Sequence, residues 1–165
     1  MNELDAIQAS LASFTKRLDE VSNDRFNELR KCSFFDPVPS EWLKPISEQA
    51  DIRTFSAGDC LTREGEDMNA FYVVLFGTAT VYYNKKIVGT IHSGECLGEG
   101  MFFSNENISR SATVVADVQV IAAEIKKNGI DLLRGDTKGY LDKALLLALF
   151  KKLQGTNRRI EELLR

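Results

Sequence analysis

The sequence predicts an α+β protein that is mainly β, with an antiparallel sandwich or barrel between helical ends. From residue 51 to residue 125, apolar residues alternate with a period of two, in short segments separated by Gly-, Asp- and Asn-containing turns. This pattern is typical of antiparallel sandwiches and barrels. On both sides of that region the apolar period is near 3.6, the period of an amphipathic helix. Hydrophobic residues make up 44% of the 165 residues, so a packed core is expected.

The N-terminal segment, residues 2–30, is predicted to be a helix. Its apolar residues alternate by three and four positions, as in a heptad seam: Leu4, Ile7, Leu11, Phe14, Leu18 and Val21. Two structures fit this seam equally well. One is a helix packed on its own domain, and the other is a short coiled coil.

A short helix is predicted next, over about residues 40–49. The sequence Asp36-Pro37-Val38-Pro39 ends the preceding helix, because proline lacks the N–H that a helix interior needs. Ser40 is the expected N-cap, and Pro45 falls in the first turn or near it, where its missing N–H costs little. The expected buried face consists of Trp42, Leu43 and Ile46.

Seven strands are predicted in the central region: residues 52–55, 60–63, 70–76, 78–83, 87–91, 112–116 and 118–125. The strand over residues 70–76 is apolar on both faces, since Phe71 and Val73 alternate with Tyr72 and Val74. A strand that is apolar on both faces is covered on both sides. It is therefore expected in a central position.

Helical periodicity returns after the last predicted strand. Residues 128–133 are predicted to form a short helix capped at Asn128, Gly135-Asp136 to interrupt it, and residues 138–165 to form one long helix. The long helix carries a second heptad seam with one polar member, Thr156: Leu146, Leu149, Leu153, Thr156, Ile160 and Leu163.

The chemistry of the chain is concentrated between Gly94 and Ala116. A turn at Gly98-Glu99-Gly100 is followed, eleven residues after Glu99, by Arg110. Glycine lets backbone approach a ligand closely, a carboxylate accepts hydrogen bonds from sugar hydroxyls, and a guanidinium grips phosphate. Together these groups suit a sugar-phosphate. For Glu99 and Arg110 taken alone, a structural ion pair or a solvated surface role is the more frequent alternative.

The order of these residues resembles the cyclic nucleotide-binding domain family, and within it the bacterial catabolite activator type. The resemblance covers about residues 34–165. It rests on Gly98-Glu99, on Met101-Phe102-Phe103, and on the run Arg110-Ser111-Ala112-Thr113-Val114-Val115-Ala116. Upstream, residues 61–67 and 71–77 are similar to the family's strand-turn-strand pattern, and downstream Leu153-Gln154-Gly155-Thr156-Asn157 is similar to the activator's long helix.

This resemblance implies a fold and a set of site residues. The fold is a β-roll, a double-stranded β-helix or jelly roll, with N-terminal helices, a short phosphate-cassette helix at 99–103 and a long C-terminal helix. Glu99 would take the ribose 2′-hydroxyl, and Arg110 the exocyclic phosphate oxygens, beside Ser111 and the amides of Gly98 and Glu99. Gly100 and Ala112 complete the cassette part of the site. Thr156 would face the purine amino group, and Asn157 would reach the base held by a partner subunit.

The resemblance also implies a division of the chain and a set of partners. Residues 1–33 would be an N-terminal helical extension, 34–135 the β-roll, and 136–165 a hinge and dimerisation helix. The expected ligand is cAMP, with cGMP as the other candidate, and the expected assembly is a homodimer through the C-terminal helix, with the N-terminal helix as a second contact. The output is helix geometry read by an unidentified effector protein.

Several function classes are disfavoured by composition. A net charge of −3, from 21 basic and 24 acidic residues, is not that of a general nucleic-acid binder. No helix-turn-helix is expected after the long helix, so a DNA-binding regulator is disfavoured unless the sequence is a fragment that ends before a DNA-binding module. The three cysteines are scattered singly, and no carboxylate or histidine cluster suggests a metal or an enzyme, so a non-catalytic protein is expected. Without a signal-peptide pattern or a membrane-length apolar run, the expected location is the cytoplasm. The alternative function is an assembly module of the same fold whose pocket is empty or repurposed.

Overall fold

The computed structural model describes residue 13 and residues 23–102 and 108–165. Residues 23–30 are helical, in agreement with the end of the predicted N-terminal helix. The first heptad seam, from Leu4 to Val21, lies outside the described residues, so the coiled coil stays a prediction. The division of the chain at residues 33 and 135 stays a prediction as well.

The described residues form eight strands in two four-stranded antiparallel sheets, which confirms a mainly β jelly roll. The strands are β1 (Ala50–Phe55), β2 (Cys60–Thr62), β3 (Ala70–Phe76), β4 (Thr78–Tyr83), β5 (Lys86–His92), β6 (Cys96–Leu97), β7 (Thr113–Ala116) and β8 (Val120–Lys126). One sheet has the order β1-β8-β3-β6 and the other the order β2-β7-β4-β5. Seven of these strands match the predicted ones within two residues at each end. Strand β6 was not predicted, because two residues carry no periodicity.

The central position of β3 is confirmed, and its two faces belong to two different hydrophobic clusters. Phe71 and Val73 pack into the cluster beneath the helices. Tyr72 and Val74 point into the cluster shared by the two sheets. Both faces of β3 are therefore buried, as the sequence pattern indicates.

Besides the helical residues 23–30, the described part of the chain has three α-helices: α1 (Ser40–Glu48), α2 (Lys127–Leu132) and α3 (Gly135–Leu163). Neither predicted cap is found. Ser40 is the first helical residue, because Pro39, with φ −59°, occupies the N-cap position and makes no side-chain bond. Asn128 lies inside α2, where extended Lys126 precedes the helix. Pro45 is the sixth residue of α1, in the helix interior and not in its first turn.

Helix α3 begins earlier than predicted. Gly135, with a positive φ of 52°, is its first residue, so the break between the two helices lies at Leu133 and Arg134 and not at Gly135-Asp136. The first half of α3 packs on the domain through buried Leu141, Ala144 and Leu145. Tyr140 stacks on Trp42 of α1 with ring centroids 6.4 Å apart. Most side chains of the second half are exposed.

Candidate functional site

A cavity of about 570 Å³ lies between the second sheet, the segment that follows β6, and α3. This volume is in the range of small-molecule sites. Six of the eight predicted site residues line it: Gly98, Glu99, Arg110, Ser111, Ala112 and Thr156. The other two do not. Gly100 faces Ile108 and Met68, and Asn157 is exposed outside the cavity lining.

Arg110 is the most deeply buried charge in the cavity wall, with 7% of its surface exposed. Its Nη2 donates to the carbonyl oxygen of Ala70 at 2.7 Å, and its Cζ lies 5.6 Å from the centre of the Tyr72 ring. Nη1 is buried and has no hydrogen-bond partner among the described residues. Burial lowers the pKa of Arg110, yet a guanidinium stays charged in proteins. A buried cation with an unused donor favours an anionic ligand.

Gly98 is required by the position of that guanidinium. It has a positive φ of 84°, and a Cβ built on it would lie 2.3 Å from Arg110 Nη1 and 2.8 Å from the carbonyl oxygen of Ala70. No other residue type fits both the backbone conformation and the space. The predicted cassette helix follows as a four-residue 3-10 turn, Glu99–Phe102; Phe103 lies outside the described residues.

Glu99 forms an ion pair, but with α3 and not with Arg110. Lys152 Nζ lies 2.5 Å from Glu99 Oε1 and donates to the carbonyl oxygen of Cys96 at 2.6 Å. Both side chains are largely shielded, with 32% of Lys152 and 19% of Glu99 exposed. Glu99 thus takes part in a structural ion pair, the alternative role named for it above, and its carboxylate also lines the cavity. A carboxylate has about four acceptor positions, so Lys152 leaves part of it available.

Helix α3 contributes further polar groups to the cavity wall. The Thr156 hydroxyl donates to the carbonyl oxygen of Lys152 at 3.0 Å. Its proton is therefore in use, and toward the cavity the oxygen acts as an acceptor. Arg159 Nη1 donates to the carbonyl oxygen of Val88 in β5 at 3.2 Å, which ties the helix to the sheet.

Among the lining residues that were not predicted as site residues, five are titratable: Lys151, Lys152, Arg159, Glu95 and His92. His92 was expected at a strand end near a turn, and it is exposed there at the end of β5. Lys152 could have been found, because it lies four residues before Thr156 and thus on the same face of a helix. Arg110 and the three basic residues of α3 outnumber Glu95 and Glu99. The charge balance of the wall suits an anion.

Metal-binding clusters and membrane-spanning helices are both missing from the described part of the chain. Residues 23–102 and 108–165 hold no group of three or more His, Cys, Asp or Glu side chains placed for a metal ion. Among the helices described, none combines the length and apolar character needed to cross a membrane.

Comparison with known proteins agrees with the geometry. Residues 52–134 match the family model of the cyclic nucleotide-binding domain. The chain is 26% identical over 139 residues to a cGMP-dependent protein kinase of Plasmodium berghei, a match that covers 82% of this chain and 16% of the kinase. It is 40% identical over 139 residues to the cGMP-dependent protein kinase of Toxoplasma gondii, covering 82% of this chain and 14% of that one. The chain thus spans less than a fifth of the length of these two relatives.

A solved structure shows the same fold. The cyclic nucleotide-binding domain from Methylobacillus flagellatus superposes with a TM-score of 0.74 at 17% identity, covering 86% of this chain and 85% of that one. At this identity the likeness concerns the fold alone. The match of the family model to residues 52–134, which agrees with the arrangement of the sheets and the cavity, shows that the chain belongs to the cyclic nucleotide-binding domain family.

Proposed function

We propose that this chain is a non-catalytic regulatory module that binds a cyclic nucleotide in the cavity, with cAMP preferred over cGMP, and transmits binding to α3. The observation that carries the proposal is the buried guanidinium of Arg110. It lines the cavity against Gly98, and one of its nitrogens has no hydrogen-bond partner among the described residues. A phosphate on Arg110 would provide the counter-charge and the acceptor that this group lacks.

The sugar would lie between Arg110 and Glu99. In a 3′,5′-cyclic nucleotide the 2′-hydroxyl is the free hydroxyl of the ribose, and a carboxylate is an acceptor for it. Ser111 and Ala112 line the cavity directly after Arg110. The exposed Ser111 hydroxyl is available to the phosphate or to the base.

The base would lie toward α3. The hydroxyl proton of Thr156 is donated within its own helix, so its oxygen is suited to accept from an exocyclic amino group. Adenine and guanine both carry such a group, at different positions of the ring. The two kinase relatives are named for cGMP, whereas a solved regulatory domain from Toxoplasma gondii, of similar fold at 20% identity, is described with cAMP. The preference for cAMP is thus the part of the proposal that most needs measurement.

Transmission to α3 would use the ion pair of Glu99. The same carboxylate lines the cavity and bonds Lys152 of α3. A ribose hydroxyl that reaches Glu99 shares or displaces that bond, so ligand and helix position have a direct physical link. The seam residues Leu146, Leu153 and Ile160 of α3 are exposed. In the proposed homodimer they would pack against the same seam of a second copy.

Calorimetric titration with cAMP and with cGMP tests the proposal. Wild type should bind at least one of them, and Arg110→Ala should weaken binding by about 100-fold or more, since charge-assisted hydrogen bonds contribute about 1.5–3 kcal/mol each. Arg63→Ala is the matched control. Arg63 is an exposed arginine between β2 and β3 with a 3.9 Å ion pair to Glu66, and it lies outside the cavity lining. Equal affinity of Arg110→Ala and wild type would contradict the site.

The alternative is an assembly module of the same fold with a repurposed pocket. The exposed apolar seam of α3 is the observation that favours it, since large apolar patches mark contact surfaces. A mass measurement of the full chain with and without ligand separates the two functions. A stable dimer that shows no thermal shift with millimolar cAMP or cGMP would favour the assembly module.

A further inference from the structure

Three side chains outside the cavity lining, Tyr72, Glu124 and Arg53, form a chain of contacts that begins at Arg110. The Tyr72 ring lies against the guanidinium, with Arg110 Cζ 5.6 Å from the ring centre. The Tyr72 hydroxyl donates to Glu124 Oε1 at 2.7 Å. The other oxygen, Glu124 Oε2, lies 3.6 Å from Arg53 Nη1. Tyr72 and Glu124 face each other directly in the β3–β8 pair, so the sheet register sets their contact.

Packing alone does not explain why a carboxylate is buried at position 124. It is 7% exposed, and its Oε2 is buried without a hydrogen bond among the described residues. Burying a carboxylate costs free energy, and a hydrophobic residue of similar size is often neutral or stabilising at such a place. Among the described residues, the hydrogen bond that the Glu124 side chain accepts comes from Tyr72. The carboxylate therefore acts on the orientation of the tyrosine.

Tyr72 in turn acts on Arg110. The guanidinium is bounded by the Tyr72 ring, by the carbonyl oxygen of Ala70, and by the bare backbone of Gly98. Ala70 and Tyr72 both belong to β3, so one strand supplies both contacts. Neither Tyr72 nor Glu124 lines the cavity. An effect of either side chain on a ligand is therefore indirect, and Arg110 is the cavity residue that the Tyr72 ring lies against.

We propose that Tyr72 and Glu124 are positioning residues that hold the Arg110 guanidinium in the orientation in which it receives an anionic phosphate. The inference rests on the proposed function, because the anion is the cyclic phosphate of the ligand. A guanidinium held in place before the ligand arrives loses little freedom on binding, which raises affinity.

Affinity for cAMP and cGMP, measured by titration up to millimolar ligand, tests the proposal in four single variants. Tyr72→Leu removes the ring and should weaken binding by about tenfold, the scale of a desolvated cation–π contact. Tyr72→Phe keeps the ring and loses its anchor, so a smaller loss is expected. Glu124→Gln keeps an acceptor for the Tyr72 hydroxyl, so its nucleotide affinity should be close to that of wild type. Glu124→Leu removes the acceptor, so its loss of affinity should equal that of Tyr72→Phe.

A double-mutant cycle separates positioning from general stability. In an Arg110→Lys background the fork that Tyr72 orients is gone, so Tyr72→Leu should cause no further loss of affinity. The same loss in both backgrounds, or wild-type affinity in Tyr72→Leu, would overturn the inference. If Tyr72→Leu does not fold, the inference is tested by comparing the nucleotide affinities of Glu124→Gln and Glu124→Leu. Equal affinities of these two variants would overturn the inference. Wild type that binds neither nucleotide overturns the proposed function itself, a result distinct from all of these.

Discussion

Lys152 Nζ lies 2.5 Å from Glu99 Oε1 and 2.6 Å from the carbonyl oxygen of Cys96, so one ammonium joins α3 to the cavity wall. Beyond residue 152, the side chains of α3 are exposed. Among the described residues, the other hydrogen bond from this half of the helix to the rest of the domain, besides those of Lys152, is the one from Arg159 to Val88 of β5. The position of the distal half of α3 therefore depends on very few side chains. Lys152 is the one among them that contacts a predicted ligand-binding residue.

Replacing Lys152 should loosen the distal half of α3 without unfolding the domain. Lys152→Met keeps most of the aliphatic stem and removes the charge-assisted bonds, which contribute about 1.5–3 kcal/mol each. Amide hydrogen exchange over residues 153–163 should accelerate by about tenfold or more, while exchange in β3 and β8 stays unchanged. Lys151→Met is the matched control, since Lys151 is the exposed neighbour. Equal exchange in the two variants would show that the ion pair does not hold the helix.

Gly65 and Gly98 have almost the same φ, so comparing alanine variants of the two separates the steric contact at Gly98 from the backbone strain of a positive φ. Gly65 has φ +86° and nothing within 4 Å of the methyl group that alanine would add, whereas Gly98 has φ +84° and would press that methyl on Arg110 and Ala70. Gly65→Ala should lose about 1–2 kcal/mol of unfolding free energy through strain alone. Gly98→Ala should lose about 1–3 kcal/mol more, through overpacking, and should also lose ligand affinity.

Chemical denaturation of both glycine variants checks this prediction, with nucleotide titration beside it. The informative quantity is the difference between the two variants, because the cost of positive φ cancels. Equal unfolding free energies would mean that Arg110 moves aside at no cost, and the guanidinium would then not be fixed in its place.

The fold was predictable because its determinants are local. Alternation over residues 70–76 gives β3 and its central position, since both faces must be covered. The helix starts were predicted less well, for physical reasons: Pro39 takes the N-cap place ahead of Ser40, and Gly135, with its positive φ, is the first residue of α3. Both depend on backbone conformation, which residue preferences indicate only weakly.

The site was predictable where it is contiguous in sequence. Gly98, Glu99 and Arg110 follow one another within a short stretch, and they meet at the cavity. Lys152 and Tyr72 were not predicted, because each reaches the site from a distant part of the chain through tertiary packing. A lysine on a long helix and a tyrosine in an apolar strand look ordinary until the contacts are known.

The exposed seam of α3 should control the oligomeric state. Leu153 and Ile160 are 57% and 50% exposed, so replacing both with serine should change the thermal stability of a monomer little. In the proposed homodimer the same change removes two seam contacts and should shift the mass toward the monomer at micromolar concentration. Analytical ultracentrifugation measures this. Leu132→Ser, at a 63% exposed leucine of α2, is the control, and an equal mass change in that variant would locate the contact elsewhere.

The stability of the protein above pH 10 should report the environment of Tyr72. Burial, with the hydrogen bond to Glu124 next, raises the pKa of Tyr72 from 10 to about 12. Between these values the unfolded tyrosine has lost its proton while the folded one keeps it, so the unfolding free energy falls as pH rises, by about 1.4 kcal/mol per pH unit. Tyr72→Phe has no hydroxyl at this position, so its unfolding free energy should not fall for this reason. Wild type should therefore be the more stable protein at pH 8, because of the hydroxyl bond, and should lose that advantage between pH 10 and 12.

Urea unfolding of both proteins at pH 8, 10 and 11 measures the difference directly. Burial also raises the pKa of Cys96 to about 12. That thiol is present in both proteins, so its contribution cancels from the difference. Parallel curves for wild type and Tyr72→Phe across this range would mean that the Tyr72 hydroxyl reaches water in the folded state. The hydroxyl would then be no fixed donor to Glu124, and the positioning of Arg110 through Tyr72 would lose its anchor.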